Sequence, residues 1–278
     1  MSAYRTFAST LDSQSPRAEK PREIGLTSII DYGPGLHGWT SPGSLSDYLS
    51  SCAEFIDLVK VFGPNAVLLD EQTVRSSVKE YGKHGILAYA GGLLFEFAYN
   101  NGLLSRLPAL LSDLGFSGIE ISENYITLSR DELRKFISEY RDAGFVVIYE
   151  FGRKEPERPL TIKELSETLE ASFSAGASHA TIEQSEIDIL TRESDDILDE
   201  LYAQGWMRRV FIELDPLKFP NAQASLITRF GPDVNLANVT PNHLLSVEGF
   251  RRGIGRAVRY PLFTADPGVS HPNGDCVK

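Results

Sequence analysis

Four short apolar runs in the second half of the chain each end in a glutamate: Gly118-Ile119-Glu120, Val147-Ile148-Tyr149-Glu150, Ala180-Thr181-Ile182-Glu183 and Val210-Phe211-Ile212-Glu213. The intervals between these glutamates, 30, 33 and 30 residues, match one strand plus a crossover helix and two loops. Glu120, Glu150, Glu183 and Glu213 therefore read as equivalent positions of a repeated βα unit. The first half keeps the register with other side chains, since Ser28-Ile29-Ile30 ends in Asp31 and Ile56-Asp57-Leu58-Val59 ends in Lys60. A ring of acids with one lysine is expected. A lone glutamate at a strand end more often caps a helix or pairs with a surface lysine. Several in register are another matter, because crowded carboxylates repel unless a cation or a proton is shared among them.

Oxygen ligands without sulfur or imidazole favour a hard cation, and Mg²⁺ is the expected one. The five histidines, His37, His84, His179, His243 and His271, form no paired zinc motif. Lys60 has three readings, in descending order: balancing the ring's charge, stabilising an enolate, or forming a Schiff base. After the fifth run, Glu150, Gly152 and Lys154 share a face by alternation, which would bring Lys154 to the same mouth. Gly91-Gly92 opens a helical stretch at Leu93 and offers bare backbone amides to an anion, although such a pair is also an ordinary loop. The loop from Tyr32 to Gly43, rich in Gly and Pro and carrying Trp39, reads either as a lid or as a solvated loop.

The elements that must position these groups alternate along the chain. Strands are expected at Leu26 to Asp31, Phe55 to Lys60, Gly85 to Ala90, Phe116 to Ser122, Phe145 to Phe151, His179 to Gln184, Arg209 to Leu214 and Asp233 to Asn238. Helix starts between them are signalled by Ser44, Asp70, the Ser129-Arg130-Asp131-Glu132 and Thr161–Glu164 capping boxes, and Pro241. Eight βα units predict a single-domain (β/α)8 barrel, a TIM barrel of the α/β class, over residues 23–260. A doubly wound sheet is the competitor, and its G-x-G-x-x-G turn does not occur after the first strand. In a barrel, chemistry gathers at the carboxyl ends of the strands, where the acids and Lys60 fall. Residues 1–22 read as a flexible arm and residues 261–278 as a tail.

At 278 residues and 42% hydrophobic content the chain can bury a large core. A net charge of -11 speaks against nucleic acid or an anionic membrane as partner, leaving a small-molecule substrate. Two cysteines give no disulfide framework, which suits a reducing, cytoplasmic setting, although the Ser- and Arg-rich start leaves room for a weak organelle-targeting segment.

Ordered, dispersed matches then emerge: Gly25-Leu26-Thr27 with Asp31 and Gly33; Phe55-Ile56-Asp57 with Lys60; Gly91-Gly92 with Leu94-Phe95-Glu96; and Leu114-Gly115-Phe116 with Ile119-Glu120-Ile121-Ser122. Glu150, Gly152 and Lys154 follow, then Glu183 and Glu186, then Phe230-Gly231-Pro232 with Val234-Asn235-Leu236-Ala237-Asn238, and Glu248, Arg251, Arg252 and Gly253. From Glu19 to Arg256 the chain resembles the phosphosulfolactate synthase family, which includes plant heat-stress-associated relatives. The resemblance implies a (β/α)8 barrel, often a homo-oligomer, and Mg²⁺-dependent addition of sulfite to phosphoenolpyruvate. Combined with the residue reading, it gives an expected catalytic set of Lys60, Glu120, Glu150, Glu183 and Lys154. The expected metal ligands are Asp31, Glu120, Glu150 and Glu183, and the expected substrate contacts are Gly91, Gly92, Ser122, Glu213, Asn235, Asn238, Tyr32 and Trp39.

The chain departs from the family pattern where cations are expected: Ile24 and Tyr32 replace basic residues, Gln184-Ser185 replaces a pair containing Arg, and Ile254-Gly255-Arg256-Ala257 lacks the closing Leu-Arg-x-Asp. Leu93 replaces a threonine after Gly-Gly, and Val61 to Asn65 replaces a Gly-Trp-Gly-Thr turn. Each lost cation removes a charge-assisted contact of ~1.5–3 kcal/mol to a bound phosphate or sulfonate. The leading expectation is thus a lyase- or synthase-type enzyme for a less anionic carbonyl or enol substrate. The alternatives are the family's own reaction and a non-catalytic stress-associated protein.

Overall fold

A computed structural model of the chain describes residues 3–34, 42–152, 161–193, 196–255 and 257. Eight strands form a closed, all-parallel barrel in sequence order. They are β1 (Thr27–Asp31), β2 (Leu58–Val61), β3 (Leu87–Ala90), β4 (Gly118–Ile121), β5 (Val146–Phe151), β6 (His179–Ile182), β7 (Val210–Glu213) and β8 (Asn235–Val239). The described α-helices are α1 (Ala3–Gln14), α2 (Pro42–Cys52), α3 (Asn65–Leu68), α4 (Glu71–Lys83), α5 (Gly92–Asn100), α6 (Leu107–Leu114), α7 (Arg130–Asp142), α8 (Ile162–Ala175), α9 (Gln184–Glu193), α10 (Asp196–Tyr202), α11 (Asn221–Phe230) and α12 (Leu244–Arg251). The TIM-barrel expectation holds, and each expected strand overlaps an observed one.

Alternation splits the apolar side chains into two cores. Leu26, Leu58, Tyr89, Ile148, Phe211 and Ala237 fill the barrel interior. Ile29, Val59, Val61, Ile119, Val147, Ala180, Ile212 and Leu236 point outward into the much larger layer beneath the helices. Strands buried on both faces read as continuous apolar runs, and this explains why their register was legible as strand but not as face. β2 begins later than expected, because α2 and a 3-10 turn at Ala53–Phe55 continue through the apolar Phe55, while Ile56 is buried in the outer core. The β2–β3, β3–β4 and β6–β7 crossovers each hold two α-helices rather than one.

The helix caps follow the local chemistry. Ser129 and Thr161 each complete a capping box with Glu132 and Glu164, and Asp70 accepts from Gln72 N at 3.0 Å. Gly115 ends α6 with φ of 86°, a left-handed conformation that glycine adopts without a Cβ clash.

The start of the chain is tied to the bottom of the barrel rather than being free throughout. α1 buries no residue, but beyond it Arg17 bonds to Gly25 O at 2.9 Å and to Glu248 at 3.3 Å. Arg22 pairs with Asp57 at 2.9 Å, and Lys20 donates to Ala53 O at 2.9 Å. Arg251 runs under the barrel as well, donating to Pro232 O, to Val234 O at 2.7 Å and to Leu26 O at 3.2 Å. The expected tail, residues 261–278, lies outside the described residues. By this anchoring, removing residues 1–14 should leave the melting temperature nearly unchanged, since α1 buries no residue and its Asp12–Arg252 pair is exposed. Removing residues 1–22 should lower it by roughly 5–10 °C, because buried charge partners lose their mates. Equal melting curves for the two truncations would contradict the anchoring.

Candidate active site

The last inward-facing position of several strands carries a charged side chain, and these converge at the carboxyl end of the barrel. Lys60 Nζ lies 2.9 Å from Glu120 Oε2, 3.2 Å from Glu150 Oε2 and 2.9 Å from Glu213 Oε2. Two of the ammonium's three N–H donors are taken by Glu150 and Glu213 as hydrogen bonds, and Glu120 stands at ion-pair distance from the same nitrogen. All four side chains are buried. Tyr89, bonded to Ser28 Oγ at 3.0 Å, lies at the β3 position paired with Lys60 and belongs to the apolar filling of the barrel.

Each acid is set by different neighbours. Glu120 Oε2 also accepts from Gly92 N at 2.9 Å, at the start of α5. The Gly91-Gly92 turn therefore receives a carboxylate of the chain itself where the sequence suggested a site for an external anion. A Cβ on Gly92 would lie 2.2 Å from Ser122 Oγ, so only glycine lets β4 and α5 approach this closely. Glu150 Oε1 accepts from Asn124 Nδ2 at 2.8 Å. Asn124 is held in turn by its backbone N–H on Glu96 Oε1 at 2.9 Å, while Tyr125 N donates to Glu96 Oε2 at 2.7 Å and Ser122 Oγ bonds the same carboxylate.

Donors thus meet both oxygens of Glu150, whereas Glu120 Oε1 and Glu183 Oε1 are buried with no hydrogen-bond partner among the described residues. Each of those two carboxyls lies beside Glu150, so a shared proton resolves the contact. The proton affinities run the same way. Burial raises the Glu120 carboxyl well above the ordinary range, Lys60 opposing and Glu150 and Glu213 adding to the rise. Burial, then the charges of Glu213 and Glu150, push Glu183 up to about 9. Burial works against the charge of Glu150 too, but Lys60 and hydrogen bonds from Glu120, Asn124 and Glu183 hold it down at about 2. Burial alone would depress the Lys60 ammonium; Glu120, Glu150 and Glu213 reverse this and hold it well above its usual value. A lysine so firmly protonated is a cation and not a nucleophile, so the Schiff-base reading loses its support.

The structure brings together Lys60, Glu120, Glu150, Glu183 and Glu213, and leaves other expected residues elsewhere. Asp31 is on the outward face of β1, where it accepts from Tyr81 Oη at 2.9 Å and Gly33 N at 2.6 Å. Its even spacing from Ile29 and odd spacing from Ser28 puts it beneath the helices and outside the ring. Asn235 sits at the opposite end of the barrel, taking Leu26 N at 2.9 Å and giving to Arg208 O and Val210 O, so it ties the strand starts together instead of meeting substrate. Ser122 is fully buried behind Gly92 and bonded to Glu96. Trp39 and Lys154 lie outside the described residues.

A cleft of about 260 Å³ opens beside the ring, lined by Tyr32, Glu183, Ser185, Glu213, Leu214, Asp215, Pro216, Lys218 and Asn238. Asn238 reaches it because β8 shifts register against β1 between Thr27 and Ile29, and Asn238 takes a φ of 55°, rare for a residue with a Cβ. Tyr32 packs on Phe62 with ring centroids 5.3 Å apart. Two contributors were missed from sequence. Asn124 continues the alternation of Glu120 and Ser122 past the strand end, a signal that could have found it. Glu96 lies within a matched stretch, but nothing local shows that it orders the loop after β4.

Glu120, Glu150 and Glu213 form a group able to hold a metal ion, with candidate ligand atoms within 4.8 Å of one another. Mg²⁺ requires oxygens at about 2.0–2.1 Å. The Oε2 atoms of all three glutamates already close on the Lys60 ammonium, so the triad with Lys60 inside does not fit that ion.

Residues 15–256 match the model of the (2R)-phospho-3-sulfolactate synthase (ComA) family. The phosphosulfolactate synthase of Methanocaldococcus jannaschii is 32% identical over 239 residues, covering 83% of this chain and 92% of that protein. That of Methanothermobacter thermautotrophicus is 31% identical over 248 residues, covering 86% and 93%. Among solved structures, an N-acetylneuraminate lyase of Mycoplasma synoviae superposes with a TM-score of 0.51 at 11% identity over 83% of this chain and 74% of that one, a likeness of fold. The closed barrel, the ring at its carboxyl end and these matches together assign the chain to the (2R)-phospho-3-sulfolactate synthase (ComA) family of lyase-type enzymes.

Proposed function

We propose that this chain is a lyase- or synthase-type enzyme that moves a proton at an enol or carbonyl carbon of a small substrate less anionic than the phosphoenolpyruvate and sulfite pair. One arrangement carries the reading: Glu183, whose burial beside Glu213 and Glu150 pushes its carboxyl up to about 9, lines the cleft with Glu213 and Asn238. A carboxyl whose pKa lies above the working pH is a general acid ready to donate. Glu183 gives its proton to the carbon of the enolate, whose oxygen becomes the carbonyl, and Lys60 steadies the carboxylate left behind through the ring. Glu150, hydrogen-bonded to both Glu120 and Glu183, links the second proton to the first. Substrate bound in the cleft is oriented by Asn238 and Tyr32, with water excluded by the barrel wall below.

The charge of the cleft supports the altered substrate. Among the described residues lining it, Lys218 is the one cation, and it is paired with Asp188. Arg251 is committed beneath the opposite end of the barrel, and Arg252 pairs with Asp12 and Glu248. An anion pair needs opposing charge to offset its desolvation. Lys154, three residues past Phe151 in the sequence and outside the described residues, enters this reading as a contact to the substrate's carboxylate. The family's own reaction is the second reading, favoured by the 32% identity over 92% of the Methanocaldococcus jannaschii enzyme.

The test is deuterium wash-in from D₂O into a panel of small 2-oxo and enol acids, followed by NMR. Exchange at the carbon next to the carbonyl is expected with the wild type, and Glu183→Gln should slow it by ~10²–10⁴-fold. Rapid phosphosulfolactate formation from phosphoenolpyruvate, sulfite and Mg²⁺ would overturn the altered-substrate reading and establish the second one.

The pH dependence of stability checks the protonated Glu183 separately. A carboxyl with a higher pKa folded than unfolded holds its proton more tightly when folded, so the stability it contributes is present in acid and is lost as pH rises. For Glu183 that window runs from the ordinary 4.5 to about 9. The melting temperature of the wild type should therefore fall relative to Glu183→Gln across this range. Parallel curves would show that Glu183 titrates as an ordinary carboxylate.

A further inference from the structure

We propose that the Lys60 ammonium is the resident cation of the ring, and that Glu120, Glu150 and Glu213 form a latent divalent-cation site which opens only when that ammonium is removed. The inference stands on the ring's geometry and does not depend on the reaction proposed above.

The three contacts of 2.9, 3.2 and 2.9 Å are ion-pair distances for an ammonium among carboxyl groups, and those to Glu150 and Glu213 are also hydrogen bonds. An ion bound by the same oxygens would have to stand where Nζ stands. The oxygens are nevertheless gathered for such an ion. Ligands of an octahedral Mg²⁺ or Mn²⁺ at about 2.1 Å lie about 3–4 Å from one another, and the candidate atoms here fall within 4.8 Å of one another. Movements of about 1 Å would convert an ammonium cradle into one face of a metal site.

The ammonium is held in place by its stem as well as its head. Lys60 projects from the middle of β2, and its Cγ lies 3.3 Å from where a Gly91 Cβ would stand, so the stem runs against the backbone of the β3–α5 turn. Withdrawing the nitrogen would leave the buried carboxyl groups of Glu120, Glu150 and Glu213 without their cation, which is more costly than breaking a surface pair. In the intact chain this cost excludes an incoming metal. Once Lys60 is shortened to an apolar side chain, the same cost drives metal uptake. Glu120 Oε1, buried with no hydrogen-bond partner among the described residues, supplies a further oxygen to the opened site.

The experiment titrates the full-length chain with Mn²⁺ alone at neutral pH, counting free Mn²⁺ by electron paramagnetic resonance and following the melting temperature. It compares the wild type, Glu213→Gln, Lys60→Met and the double variant Lys60→Met/Glu213→Gln. Lys60→Met is expected to bind one equivalent of Mn²⁺ at least tenfold more tightly than the wild type and to melt at a higher temperature with it, and the double variant should lose the gain. Wild type and Glu213→Gln should bind Mn²⁺ alike. One equivalent bound by the wild type and weakened tenfold or more in Glu213→Gln would overturn the inference, as would a folded Lys60→Met variant with no gain. Should Lys60→Met not fold alone, the wild-type comparison still decides, joined by reductive methylation: Lys60 stays protected in excess Mg²⁺ if the inference holds and becomes reactive if a metal displaces it.

Discussion

One buried ammonium shared by the carboxyl groups of three buried glutamates is the constraint around which the upper half of this barrel is built. Isolated charges at such depth would be intolerable, and a carboxylate cluster more so. Closing Glu120, Glu150 and Glu213 on Lys60 settles most of that cost, and protons on Glu120 and Glu183 settle the rest. The arrangement leaves neighbouring carboxyls with opposite protonation: Glu150 ionised, Glu183 holding its proton at the edge of the cleft. Acid–base chemistry requires such a division, and here it follows from which oxygens find N–H donors.

The fold makes the division possible by bringing distant segments to one plane. Lys60 and Glu213 are 153 residues apart in sequence and meet only because the strands close on themselves. Supporting contacts then fix the acids individually. Asn124 is placed by Glu96, which also accepts from Ser122 and Tyr125, so the loop after β4 carries a rigid amide to Glu150. At the other end of the barrel Arg17, Arg22, Arg251 and Asn235 bond the strand starts and their loops, and these residues serve the scaffold.

Much of this was legible in the sequence, and the gaps have physical causes. The strand–glutamate repeat disclosed the barrel and four ring members, because a fixed βα length puts equivalent strand positions at equal intervals. Facing was harder. Asp31 ends its apolar run as the glutamates end theirs, yet it points under α4, because β1 stops one residue further along the alternation. Asn235 and Asn238 lie three apart in one strand but at opposite ends of their roles, since a register shift turns Asn238 into the cleft. Glu96 and Asn124 went unseen because their importance comes from bonds to each other across a loop, which no spacing encodes. Gly91-Gly92 was read as an anion cradle; the anion proved to be Glu120.

The central claim is the unequal protonation of adjacent glutamates around one lysine. It is tested most directly by a pH titration of glutamate side-chain carboxyl ¹³C shifts, assigned by single Glu→Gln replacements. The account predicts that Glu150 stays ionised down to about pH 2 while Glu183 keeps its proton to about pH 9. Ring glutamates that all titrate together in the ordinary carboxylate range would contradict it.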